Sequence, residues 1–177
     1  MLKEPTYRAS TFKRETSPVV WNQALGGLPN PHALQSWAWG EFKSRWGWEM
    51  LPLLLTVGES RWEPQAAAMV LKRRLPRLPY CVLYIPKGPI LNYNDGDLRQ
   101  RVLAELEKLA RRERAIFIKI DPDVVQSWGL EPERPSPIGR QFTQELQTRG
   151  WRFSAEQIQF RNTVELALGR PEEELLA

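Results

Sequence analysis

Residues 49–85, EMLPLLLTVGESRWEPQAAAMVLKRRLPRLPYCVLYI, decide the fold. They contain three apolar runs of strand length, 49–57, 64–74 and 80–85, separated by short segments of Gly, Pro and charged residues. Strands joined by such short links pair antiparallel, so the stretch predicts a three-stranded meander. The small residues Ala66, Ala67 and Ala68 predict close packing of the middle strand against a neighbour.

Upstream lies a shorter and more unusual segment, LQSWAWGEFKSRWGW, residues 34–48. At helical period Leu34, Trp37, Ala38, Phe42 and Trp46 share one face, with Gln35, Trp39, Lys43 and Arg45 toward its sides. Asn30 or Ser36 is placed to cap the start, and Gly47 stands where helices often end. The reading is a short aromatic helix with Lys43 among large rings, a candidate clamp for an anionic ligand. Before it, 1–17 reads as a leader or an edge strand, PVVW at 18–21 as a short first strand, and 22–31 as a loop.

Downstream, Lys87, Gly88 and Pro89 break the pattern. Asn94 or Asp95 then caps a helix running to about Arg114, with Leu98, Val102, Leu106 and Leu109 inward. Asp97 with Arg101, and Glu107 with Arg111, fall at i,i+4 on its outside. Residues 115–121, AIFIKID, form a fourth strand. A proline-rich loop fills 122–137, and a helix over 138–149 with Phe142 and Leu146 inward closes at Gly150. Residues 158–168 alternate Ile158, Phe160, Val164, Leu166 and Leu168 against polar positions and predict a last strand. RPEEELLA, 170–177, opens a further helix. There is no internal repeat.

This order predicts an α+β fold of the GNAT (acyl-CoA N-acyltransferase-like) type: a mixed, largely antiparallel sheet with helices on both faces, over 18–170. In that fold a Gly-rich loop after the fourth strand holds the coenzyme A pyrophosphate on its amides. Here that place holds YIPKGPIL, whose prolines carry no N–H, which disfavours acetyl-CoA as donor.

Composition narrows the chemistry. The chain of 177 residues carries one cysteine, Cys81, and one histidine, His32. That excludes an internal disulfide and a metal site built of several His or Cys ligands. It also excludes Ser-His-Asp and Cys-His catalysis unless His32, in the proline-flanked helix start NPHAL, takes part. A net charge of +4 suits an anionic partner without specifying nucleic acid. No run is long enough for a transmembrane segment, and the polar N-terminus is no secretory signal, so a cytoplasmic location is expected.

Several of these segments resemble the FemABX family of peptidoglycan-bridge aminoacyltransferases. The first is Q-x-x-x-W-x-x-x-K, here Gln35, Trp39 and Lys43, followed by a Gly-Trp-Glu turn into an apolar strand. Next come Tyr84 through Pro89 (YIPKGP), and LARR at 109–112 leading into IKIDP at 118–122. The last is GWRF at 150–153, continuing to TVEL at 163–166 and the PEEELL of the terminal segment. In joint order they span 34–177.

The resemblance implies two GNAT-like domains in one chain. Together they transfer an amino acid from aminoacyl-tRNA, as co-substrate and with no further cofactor, to the stem peptide of a peptidoglycan precursor, either a UDP-MurNAc-peptide or its lipid-linked form. It implies that Lys43 contacts the precursor's diphosphate and that Trp39 walls that site. Tyr84 and Lys87 are candidates for the same ligand, and Asp121 is a weaker acid–base candidate. Arg161 and Thr163 read as sheet surface. The family's further phosphate-binding arginine and its second domain would follow Ala177, so the chain reads as a first half, without an assigned catalytic residue. Two other readings stay open: a stand-alone N-acyltransferase, and a non-catalytic module binding RNA through the basic stretch 99–114.

Overall fold

A computed structural model describes residues 11–56, 63–129, 134–160, 162–164 and 169. Strands β2 (Glu49–Thr56), β3 (Pro64–Arg74) and β4 (Cys81–Ile85) form the predicted meander, antiparallel throughout. Strand β1 (Phe12–Arg14) pairs with Leu53–Leu55 along one edge. On the other side β6 (Ala115–Ile120) lies parallel to β4, giving the order β1-β2-β3-β4-β6. The two-residue strand β5 (Ile90–Leu91) pairs with Ala66 and Ala67 of β3.

Because side chains alternate across a strand, the sheet sorts its residues onto two faces. One presents Leu51, Leu53, Leu55, Ala66, Ala68, Val70, Leu83 and Ile85 to helix α3 (Gly96–Arg112). Asp95 caps that helix by accepting from the Leu98 amide at 2.9 Å, and Leu98, Val102, Leu106 and Leu109 are buried as predicted. The other face presents Leu54, Ala67, Met69, Leu71 and Tyr84 to α1 (Pro18–Gly26) and α2 (Trp37–Ser44). The fold is α+β and GNAT-like, with helices on both faces.

Four departures from the sequence reading have physical causes. PVVW is not a strand but the first turn of α1. Ser17 accepts from the Val20 amide, Pro18 sits where no N–H is needed, and Trp21, Ala24 and Leu25 recur at helical spacing in the core. The segment 34–48 is not one helix: a single 3-10 turn (Ala33–Gln35) precedes Ser36, whose hydroxyl accepts from the Trp39 amide and starts α2 afresh.

The inward side of α2 is also not the predicted one. Gly40 is buried, Phe42 is 46% and Trp46 65% exposed. A Cβ at Gly40 would stand 2.9 Å from the sulfurs of both Met50 and Met69, so the glycine lets the helix lie close on β2 and β3.

The fourth departure is the last strand. Residues 158–160 and 162–164 are irregular, and Phe160 and Val164 lie almost wholly in solvent. Alternation yields a strand only where a neighbouring ladder takes up the backbone groups. Among the described residues no strand stands beside them. Arg161 and 165–168 lie outside the described residues, as do 1–10 and 170–177.

The predicted loop contains a small hairpin, β7 (Ser127–Trp128) with β8 (Arg134–Pro135), before α4 (Pro137–Thr148). Helix α4 buries Phe142 and is clamped to α3 by charge. Arg99, 2% exposed, pairs with both carboxylate oxygens of Glu145. Arg149 makes two 2.9 Å bonds to Glu107, and the Trp151 indole donates a third. Glu107 thus bonds Arg149, where helical spacing pointed to Arg111.

Candidate functional site

Gln35, first in the quoted pattern, holds the sheet together and does not face a ligand. β4 pairs with β3 over Leu71–Arg74 and β5 over Ala66–Ala67, which leaves a gap at 68–70. The fully buried Gln35 amide fills it. Its Oε1 accepts from the Met69 N–H at 2.7 Å and its Nε2 donates to the Pro86 carbonyl at 2.6 Å. Its own carbonyl accepts from Trp21 Nε1 at 2.9 Å. Gly88 passes so close that a Cβ there would meet Gln35 Nε2 at 2.7 Å.

Four residues on, Trp39 packs its ring 5.4 Å from Phe42 and buries an indole N–H that has no hydrogen-bond partner among the described residues. Lys43, one turn later, does not extend into bulk water. Its Nζ stands 5.7 Å from the Trp39 ring and 5.8 Å from Trp48, while the Arg73 guanidinium lies 5.7 Å from the same Trp48 ring. Two cations therefore share one indole, an arrangement stabilised by ring quadrupoles and open to an anion. Trp48 and Arg73 were not among the sequence candidates. Their signals were the Gly-Trp-Glu turn and the β3 alternation Met69, Leu71, Arg73.

Tyr84 lies on this same face of the sheet, opposite Leu71 in the β3–β4 register and opposite Lys119 in β6. Burial pushes its phenol up to about 12, against a hydrogen bond donated by Gln159 and reinforced by the Asp121 charge. Burial likewise raises the Asp121 carboxyl, while Lys87, Lys119 and the nearby Tyr84 hydroxyl pull it down. Lys119 itself donates to Ser154 and to the Glu156 carbonyl. Lys87 is drawn away from the ring bracket, since its ammonium pairs with Asp123 at 3.0 Å and is largely buried there.

The structure thus joins Trp39 and Lys43, puts Tyr84 on their face of the sheet, and ties Lys87, in the turn after β4, to Asp123 beyond the end of β6. His32 acts as the expected cap, its Nδ1 accepting from the Leu34 amide. The basic stretch 99–114 is not a uniform surface, because Arg99 is buried in its ion pair. Thr163 is exposed.

The FemAB family model matches residues 27–168. The Lipid II:glycine glycyltransferases of Staphylococcus haemolyticus and Staphylococcus aureus are 34% identical to this chain over 103 residues. The match covers 58% of this chain and 24% of each relative, so the chain spans about a quarter of their length. The crystal structure of FemX superposes with a TM-score of 0.58 at 28% identity, over 75% of this chain and 30% of that one. An acetyltransferase of Trypanosoma brucei shares the fold alone, with TM-score 0.52 and 11% identity over 87% of this chain and all of its own. No helix among the described residues is long and apolar enough to cross a membrane. A match reaching from the turn before the aromatic helix almost to the end of the chain shows that this protein belongs to the FemAB family.

Proposed function

We propose that this chain is the precursor-binding part of an aminoacyltransferase that builds peptidoglycan cross-bridges, with Lys43 as the contact to the precursor's diphosphate. The observation that carries this reading is the bracket itself. The rings of Trp39 and Trp48 hold an ammonium at the end of a short helix, and Arg73 stands across Trp48 from it. Fixing the cation beforehand lowers the ordering cost of its charge-assisted bonds to phosphate oxygens. Tyr84, a neutral phenol, is a wall on the same face of the sheet.

The acceptor is the stem peptide of a UDP-linked or lipid-linked precursor, and the lipid II in the name of the staphylococcal relatives supports the lipid-linked form. The donor is an aminoacyl-tRNA, with no other cofactor, and the reaction takes place on the cytoplasmic side. The precursor amine attacks the ester carbonyl, an amide C–N bond forms, and the ribose hydroxyl of the tRNA leaves. The ester is already activated, so placing the amine and stabilising the tetrahedral oxyanion supply most of the catalysis. That division suits a chain whose site is built for holding, with a second GNAT-like domain completing the machinery.

Titration of UDP-MurNAc-pentapeptide into the full-length protein tests the reading. Lys43→Ala is expected to weaken binding by about tenfold or more, the worth of one charge-assisted bond, with partial recovery in Lys43→Arg. Equal affinity of Lys43→Ala and wild type, or no binding by either, would overturn it.

A further inference from the structure

The end of the sheet where β3 hands over to β4 gathers features the proposed reaction does not use. Pairing puts Glu49 opposite Lys72, Arg74 opposite Cys81, and Cys81 opposite Ala115. The end of α2, the 75–80 turn and the end of α3 therefore all emerge on one side of the molecule. The Cys81 amide donates to the Arg114 carbonyl there, and the Leu75 amide to Tyr80.

Two kinds of side chain stand out from this end. Phe42 near the end of α2 and Trp46 in the turn after it lie exposed, their rings 6.3 Å from each other. Leu78, at the tip of the turn, is 56% exposed, and Tyr80 beside it 46%. Between and around them are exposed arginines: Arg45 after α2, Arg74 and Arg77 at the turn, and Arg111 and Arg112 at the end of α3. Glu113 is shared between the buried Lys72 ammonium at 2.6 Å and Arg112 at 3.4 Å, and Glu49 lies 3.7 Å from Lys72, so these two carboxylates are outnumbered by the cations at this end. The result is an apolar edge inside a positive field.

We propose that this end docks on an anionic lipid bilayer, with Phe42, Trp46 and Leu78 entering the headgroup–acyl boundary and the arginines meeting acidic headgroups. Amphipathic aromatic residues favour that boundary, and basic side chains near it are attracted by anionic lipid. The geometry favours a bilayer over single-stranded RNA. Leu78, at the tip of the turn, is aliphatic and offers no ring face on which a base could stack, whereas an acyl boundary accepts it beside the aromatics. Lys43 follows Phe42 at the end of α2, and Trp46 stands in the turn just after it, so docking brings the ring bracket to the membrane surface.

This inference goes beyond the proposed reaction and is tested without any precursor, so the two can fail separately. The full-length protein is floated with vesicles of phosphatidylcholine alone and with vesicles containing about 30 mol % phosphatidylglycerol. The expected result is flotation with the anionic vesicles only, weakened by high salt. Trp46→Ser with Leu78→Ser, and separately Arg74→Glu with Arg77→Glu, should each lower the partition coefficient about tenfold or more while the melting temperature stays unchanged. Lipids brominated on the acyl chain should quench tryptophan fluorescence, and Trp46→Phe should bind normally but lose most of that quenching. Failure to float, equal flotation with both vesicle types, or full retention by the variants would overturn the proposal. So would RNA binding through these same residues by a protein that ignores vesicles.

Discussion

At the scale of single residues, one motif divides its labour between structure and ligand. Gln35 serves the sheet alone. Replacing it with Ala leaves the Met69 N–H and the Pro86 carbonyl unmatched in the core. Two such losses predict a destabilisation of about 2–4 kcal/mol, measured by urea unfolding. Lys43 sits at the surface between rings, so Lys43→Ala should leave stability within about 0.5 kcal/mol while acting on ligand affinity. That Lys43 meets the Trp39 ring was legible, because a four-residue step on a helix sets two side chains one turn apart. Arg73 and Trp48 were hidden because their roles depend on which face of β3 meets α2, and no local pattern records that. Lys87 shows the reverse limit: a lysine beside a turn looks available until the fold brings Asp123 to it.

At the scale of elements, capping chemistry overruled side-chain propensity. Two adjacent valines suggested a strand at 18–21, yet Ser17 followed by Pro18 is a helix start, and the buried triad Trp21, Ala24 and Leu25 completes it. Helix α4 depends on backbone closeness as much as on its apolar side. A Cβ at Gly139 would stand 2.2 Å from the Val125 carbonyl oxygen, a contact that backbone cannot relieve cheaply. Gly139→Ala should therefore loosen α4 by about 1–3 kcal/mol, seen as faster hydrogen exchange over 137–148 with α3 unaffected.

The clamp between the two helices also sets a pH dependence. Burial alone would raise the Glu107 carboxyl, but hydrogen bonds from Arg149 and Trp151 outweigh it and the pKa falls. Glu113 falls as well, held down first by Lys72. A carboxyl lowered in the folded state stabilises it above the ordinary value of about 4.3 and loses that contribution as pH drops through the folded value. Melting temperature should therefore fall as pH drops below about 4.3, and Glu107→Gln should flatten part of the drop.

At the scale of the whole molecule, the sheet was the legible part. The meander follows from three short apolar runs and their turns, and α3 from one strongly periodic face. The segment 158–164 was not, since its alternation describes a side of a strand without naming the neighbour it needs. The chain spans about a quarter of its staphylococcal relatives, and under the proposed function its ring bracket supplies the contact to the precursor. The central claim is that the Lys43 ammonium grips a diphosphate. Phosphorus NMR of UDP-MurNAc-pentapeptide with the full-length protein reads that contact at the atoms concerned. Both diphosphate resonances should shift or broaden with wild type and stay at their free positions with a folded Lys43→Ala variant. An equal perturbation by the variant, or none by wild type, would contradict the account.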